Sequence, residues 1–115
     1  MTKSKSVFDP FFQKFSKDSI YQKQHISFPL PYYEWDIENK LSEEIINRNQ
    51  WKFINFSKDK YMSSREIDAY TQVSVQKKDT LIYIRNGIDN GIRIEYFFTQ
   101  KDKMWYLVKI IDKSM

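Results

Sequence analysis

The sequence predicts an α+β domain, with helices first and a bent antiparallel sheet after them. Two observations lead there. Phe8, Phe11, Phe12 and Phe15 recur at the i, i+3, i+4, i+7 spacing of one helical face near the start of the chain. From residue 66 onward, short runs rich in Ile, Val, Tyr and Phe alternate with polar turns, as in an antiparallel meander. The composition agrees: aromatics make up 17% of 115 residues, and only two glycines and three prolines interrupt the elements. That suits a compact fold and not a disordered chain. A chain of this length builds one core and not two.

The elements follow in order. Residues 1–7, "MTKSKSV", start with charge and have no long apolar stretch behind them. They read as a flexible tail, or as the remainder of a longer precursor, ahead of a single domain over residues 8–115. Asp9 and Pro10 open the first helix, since aspartate caps well and proline's missing N–H costs nothing at the first helical position. A second short helix is predicted over 18–25, with Ile20 and Tyr21 inward and Gln22 and Lys23 outward. "SFPLP" at 27–31 stops it, because a residue before proline leaves the α region. A strand is predicted over 32–37, with 43–46 pairing back on it after the turn "ENKL". Trp51, Phe53, Ile54 and Phe56 follow no single period.

The meander then has strands over 67–75, 80–85, 92–99 and 104–112, with turns at "QKKD", "NGIDNG" and "QKDK". The two Asn-Gly pairs of the middle turn are the strongest hairpin signal, because both central residues of a type I′ turn need positive φ. Ile92, Ile94, Tyr96 and Phe98 make one face of the third strand, with Phe97 on the other. In the last strand Tyr106, Val108 and Ile110 oppose Trp105, Leu107 and Ile111. Both faces want cover. The phenylalanine helix covers one. Residues 66–113 hold no helical period to cover the other, so that face is predicted to pair with a second copy. The expected homodimer buries roughly 1,200–2,000 Å², with Phe97, Trp105 and Leu107 in its interface.

Nineteen basic residues against fifteen acidic ones leave a net charge of +4, but the basic residues are scattered and Lys77-Lys78 is their one adjacent pair. Scattered lysines make a solvated surface. Tyr83, Arg85, Arg93 and Lys109 could stack and neutralise a single strand, yet aromatics in a sheet are ordinarily packing residues, and no nucleic acid is expected as partner. With no cysteine there is no disulfide, thiolate nucleophile or cysteine zinc site, and one histidine precludes a multi-histidine centre within a chain. No metal is expected. "DIENKLSEE" lacks the glycine of a calcium loop, and no Walker loop, G-x-G-x-x-G or G-x-S-x-G is present, so no cofactor is expected either. No apolar run reaches the roughly 18 residues of a transmembrane segment.

The stretches "FDPFFQKFSKDSIYQKQHISFPL" and "GIDNGIRIEYFFTQKDKMWYLVKI" resemble an uncharacterised bacterial family, domain of unknown function 4348, associated with gut Bacteroidetes. Phe8, Phe12 and Phe15 before Asp18, "FPL" at 28–30 and "WYLVKI" at 105–110 carry the resemblance, which covers most of 8–113 and is thinnest over 38–65. It implies a fold similar to the nuclear transport factor 2-like superfamily: N-terminal helices folded across a strongly curved antiparallel sheet, a cystatin-like cone. It also implies export, to the periplasm or as a lipoprotein, although the chain has no cysteine to carry a lipid. A cytoplasmic location is the alternative.

In that superfamily the mouth of the cone holds the acid–base site of steroid isomerases and dehydratases, an Asp or a His–Asp pair beside tyrosines. Burial in an apolar cavity raises a carboxyl toward a useful general-base value. The corresponding candidates here are Asp68, Glu95 and His25, none of them inside a motif that matches those enzymes. Each also has a plain structural role: His25 meeting last-turn carbonyls at a helix end, Asp68 and Glu95 in strands, with Glu95 facing Lys109 across the last hairpin. Aromatic placement makes Tyr33, Trp35, Tyr70, Tyr96 and Trp105 the pocket candidates, between the helices and the concave face. The expected function is a non-catalytic binding or protein-interaction domain for an unknown small molecule or protein. The alternative is a small-molecule isomerase or dehydratase with its acid–base site in the cone.

Overall fold

The computed structural model describes residues 3–35, 38, 40–57, 70–87 and 91–114, with 3–7, 9 and 70–73 described by backbone alone. In chain order these form α1 (Lys3–Lys17), α2 (Ser19–Gln24), β1 (Leu30–Trp35), β2 (Leu41–Ile46), a 3₁₀ turn (Arg48–Gln50), β3 (Tyr70–Lys77), β4 (Thr80–Gly87), β5 (Arg93–Lys101) and β6 (Met104–Asp112). Helix α1 begins before the Asp9–Pro10 signal, so Pro10 lies inside the helix and not at its first position. The Asp18 carboxylate caps α2, accepting from the backbone N–H groups of Ile20 and Tyr21 at 3.0 Å each.

Capped there, α2 is turned from the phase its hydrophobicity suggests, although Tyr21 packs against the core as expected. Ile20 is 72% exposed, while Gln22 is fully buried. The position facing inward meets backbone groups of Phe15 and Ile54, which an isoleucine could not satisfy and a side-chain amide can.

The strands form one sheet in the order β2-β1-β6-β5-β4-β3. Every neighbouring pair is antiparallel except β1 and β6, which run parallel, so the sheet is mixed and not wholly antiparallel as expected. The chain leaving α2 reaches the free edge of β6 in the direction β6 itself runs. Leu107 N–H donates to the His25 carbonyl at 2.9 Å, and Ser27 N–H donates back to the Leu107 carbonyl at 2.8 Å. The segment then bends through the cis Phe28–Pro29 bond and rejoins β6 as β1.

Helix α1 lies on the concave face. Phe8, Phe11 and Phe15 are buried there with Leu81, Tyr83, Tyr96, Phe98, Trp105, Leu107 and Ile110, and Phe12 is packed against them. Phe15 meets Phe98 edge-on at 5.3 Å, Phe8 meets Trp105 edge-on at 5.2 Å, and Phe12 lies 4.8 Å from Tyr83. The space between helix and sheet is thus filled with rings.

The two-faced apolar pattern of β6 has a local cause. Phe97 pairs with Lys109, but Phe98 pairs with Leu107, so Val108 is an extra residue on β6. The bulge shifts the alternation by one. Trp105, Leu107 and Ile110 therefore all point inward despite their uneven spacing, and all are buried. Trp105 and Leu107 consequently belong to the core and cannot lie in an outer-face interface. Phe97 stays on the outer face.

The turns also depart in detail. The β5–β6 connection is the two-residue loop Asp102-Lys103, both with positive φ (51° and 68°), a type I′ geometry without glycine. Residues 88–90 of the Asn-Gly loop lie outside the described residues, while Gly91 at φ 75° uses the left-handed freedom glycine offers.

Candidate functional site

Cross-strand partners share a face, and the registers place a polar row at one end of the concave surface. Tyr32 on β1 neighbours Ile110 on β6, and Ile110 neighbours Tyr96 on β5. The Tyr32 hydroxyl donates to Asp112 Oδ2 at 3.0 Å, and Asp112 Oδ1 accepts from the Ser114 backbone at 2.9 Å. Burial, and after it the Asp112 carboxylate, push the Tyr32 hydroxyl well above its ordinary value, so it remains a donor. One strand further, Arg85 Nη1 donates to the Tyr96 hydroxyl at 3.2 Å, and its guanidinium lies 4.7 Å from the Phe56 ring centre. Beside this row a concavity of about 380 Å³ opens between the β1–β2 hairpin and the 50–54 segment, walled by Tyr32, Ile46, Trp51, Ile54 and Ile110.

The opposite face carries the buried carboxylate of the sheet. Glu95 sits between Ile84 and Ile111, not opposite Lys109. The tight Asp102-Lys103 turn and the extra Val108 together bring Ile111 to that position. Both carboxylate oxygens are paired: Arg93 Nη2 lies 3.0 Å from Oε2 and Lys113 Nζ lies 3.4 Å from Oε1. Around this triad the face is apolar. Leu41 (51% exposed), Ile45 (48%) and Trp35 flank it on the β1–β2 hairpin, and Val75 (43%) on β3. Phe97, Ile82 and Ile111 are half-buried between them, and the Lys109 ammonium lies 4.3 Å from the Phe97 ring centre. A further groove of about 420 Å³ runs along Val75, Lys77, Thr80 and Ile82.

The candidate residues are dispersed by this architecture. Tyr33 and Trp35 occupy the outer face, one residue out of phase with Tyr32, and a hydrogen bond to Glu43 raises the Tyr33 hydroxyl above its usual value. Tyr96 lies in the polar row. Trp105 is in the deep core, where its Nε1 finds no acceptor among the described residues. Tyr70 is described by backbone only, and Asp68 lies outside the described residues. His25 closes α2: its backbone N–H donates to the Gln22 carbonyl, and Nδ1 is 2.8 Å from the Tyr21 carbonyl. A carbonyl only accepts, so Nδ1 carries the proton. The ring stacks between Tyr21 (4.0 Å) and Tyr106 (5.6 Å). Tyr83 and Arg85 face inward while Arg93 and Lys109 face outward, so these four residues form no common surface for a nucleic-acid strand.

Sequence reasoning missed Tyr32 and Asp112, and weighed Arg85 only for a nucleic-acid face. Their inward phase depends on pairings with remote strands, and parity along "YYEW" alone does not choose between Tyr32 and Tyr33. It also missed a cleft of about 350 Å³ between α2 and the 48–53 segment, lined by Ser19, Ile20, Lys23, Gln24, Arg48, Trp51 and Phe53. Among the described residues, no group of three or more His, Asp or Glu side chains could hold a metal, and no helix is long and apolar enough to cross a membrane.

Helices packed across the concave face of a six-stranded sheet are the architecture of nuclear transport factor 2-like proteins, and solved members share it. The chain is similar to a nuclear transport factor 2-like protein of Bacteroides fragilis, with TM-score 0.64 and 25% identity over 91% of this chain and 46% of that one. It thus spans less than half of that protein. A protein from Bacteroides uniformis matches with TM-score 0.63 and 19% identity over 90% of this chain and 74% of that one. A nuclear transport factor 2-like protein of Cytophaga hutchinsonii matches over the full length of both chains, with TM-score 0.50 and 10% identity. The chain belongs to the family described as domain of unknown function (DUF4348), whose model matches residues 1–112. No curated protein matches the sequence.

Proposed function

We propose that this domain is a non-catalytic protein-interaction module that pairs with a second copy through the outer face of its sheet. The observation that carries the reading is the exposed apolar surface of Leu41, Ile45, Trp35 and Val75, continued by half-buried Phe97 and Ile111. Apolar groups spread over the outer strands of one sheet face are poorly matched to water. A twofold pairing sets the same patch against itself, with a buried area of roughly 1,200–2,000 Å². Light scattering over a concentration series tests it. Wild type is expected at twice the 14.1 kDa chain mass, and Ile45→Lys at the chain mass with unchanged circular dichroism. A wild type that stays at 14.1 kDa into the high micromolar range overturns the pairing.

The concavity beside Tyr32 supports a second reading, compatible with the first: a small molecule held against Ile54 and Ile110, donating to the Tyr32 hydroxyl oxygen, whose own proton goes to Asp112. It predicts that a fragment screen followed by NMR finds compounds that shift Tyr32 and Trp51 signals saturably. A screen in which no compound does so removes this reading.

A further inference from the structure

We infer that the cleft between α2 and the Arg48–Phe53 segment docks an acidic, aromatic-bearing peptide segment of a protein partner. It lies apart from the outer sheet face and stands whether or not that face pairs.

The cleft joins exposed apolar surface to unpaired positive charge. Ile20 is 72% exposed and Phe53 41%, and the half-buried Trp51 lines the same recess. A lone exposed isoleucine is ordinary; three large apolar side chains lining one recess are not. Lys23 and Arg48 border it, its lining holds no carboxylate, and neither cation has an ion-pair partner among the described residues. Of the nearest acids in sequence, Asp18 is engaged in capping α2, and Glu44 lines the neighbouring concavity beside Tyr32.

The walls are also held rigidly. Trp51 Nε1 donates to Gln22 Oε1 at 3.0 Å, which fixes the indole from behind. Arg48 Nη1 donates to the Lys23 carbonyl at 3.2 Å, tying the loop to α2, and its guanidinium lies 4.9 Å from the Phe28 ring centre. A preformed site spares a ligand the ordering cost of its receptor. A recess of about 350 Å³ has room for one aromatic side chain and a neighbour. Carboxylates flanking that anchor would meet Lys23 and the free N–H edge of Arg48. Trp51 and Phe53 line a recess, which favours an inserted peptide side chain over a flat membrane surface.

The test selects binders from a random 12-residue phage library on the intact protein. Selected peptides are expected to carry an aromatic residue with acidic neighbours. A representative, synthesised and labelled, should bind saturably and more weakly as salt rises. Binding should weaken about tenfold or more in Phe53→Ser and in Lys23→Glu. Lys23→Glu reverses a half-buried charge without removing a core side chain, so it keeps the test valid if Phe53→Ser folds poorly. Ile45→Lys should bind as wild type does, which separates this site from the outer face. Failure to enrich any peptide, enrichment without acidic bias, or binding indifferent to both cleft variants overturns the proposal. So does binding to phosphatidylglycerol vesicles that the same variants abolish in the absence of any peptide binder.

Discussion

The hydroxyl of Tyr32 and the carboxylate of Glu95 are both taken from water, and each is compensated differently. Glu95 packs between isoleucines and is answered by two cations that themselves remain partly exposed. Tyr32 is answered by one carboxylate, which helps only while the phenol keeps its proton. Burial first, and Asp112 second, raise it above the ordinary 10.0. A group that binds its proton more tightly when folded contributes stability that is complete below its unfolded value and is lost as pH climbs toward the folded one. Wild type should therefore lose denaturant resistance more steeply above about pH 10 than Tyr32→Phe does. Equal slopes for the two proteins would show that Tyr32 does not sense Asp112.

Helix α1, helix α2 and the 51–54 segment meet at one side chain. The Gln22 amide donates to the carbonyls of Phe15 (2.9 Å) and Ile54 (2.8 Å) and accepts from Trp51 Nε1 (3.0 Å) and Ile54 N–H (3.1 Å). Its hydrogen-bonding capacity is fully used. Gln22→Ala would strand these partners in the interior and should lower stability by about 3–4 kcal/mol, read as a shift in the urea midpoint. Gln22→Glu, with no room for its charge, should lose a similar amount at neutral pH and recover part of it in acid, where protonation restores a donor. A midpoint equal to wild type in both would rule out the buried weld. Nothing in "SIYQKQ" announces it, because three of the four contacts go to residues about thirty positions away. The phenylalanine stripe was legible for the opposite reason: its period is local, and its partners need only be apolar. The faces of β6 were misjudged at a single residue, since a bulge at Val108 has no signature in composition yet reverses every side chain beyond it.

At the scale of the molecule, fold class was legible because the helical period comes first and the strand periods follow it. The polar row was not, because Tyr32 and Asp112 lie 80 positions apart and are brought together by the parallel β1–β6 contact. That contact also bears on synthesis. Strand β6 is later in sequence than every strand it joins, and among the described residues it is the only link in the sheet order between β1–β2 and β3–β5. A nascent chain stopped before Met104 therefore holds two separate pieces of sheet. The phenylalanine helix then faces a surface that still lacks Trp105, Leu107 and Ile110. Closing the β1–β6 pair joins distant segments and carries the entropy of a long loop. The ribosome must release β6 before β1 can find its place, so the first helices wait, greasy face exposed, until β6 has emerged.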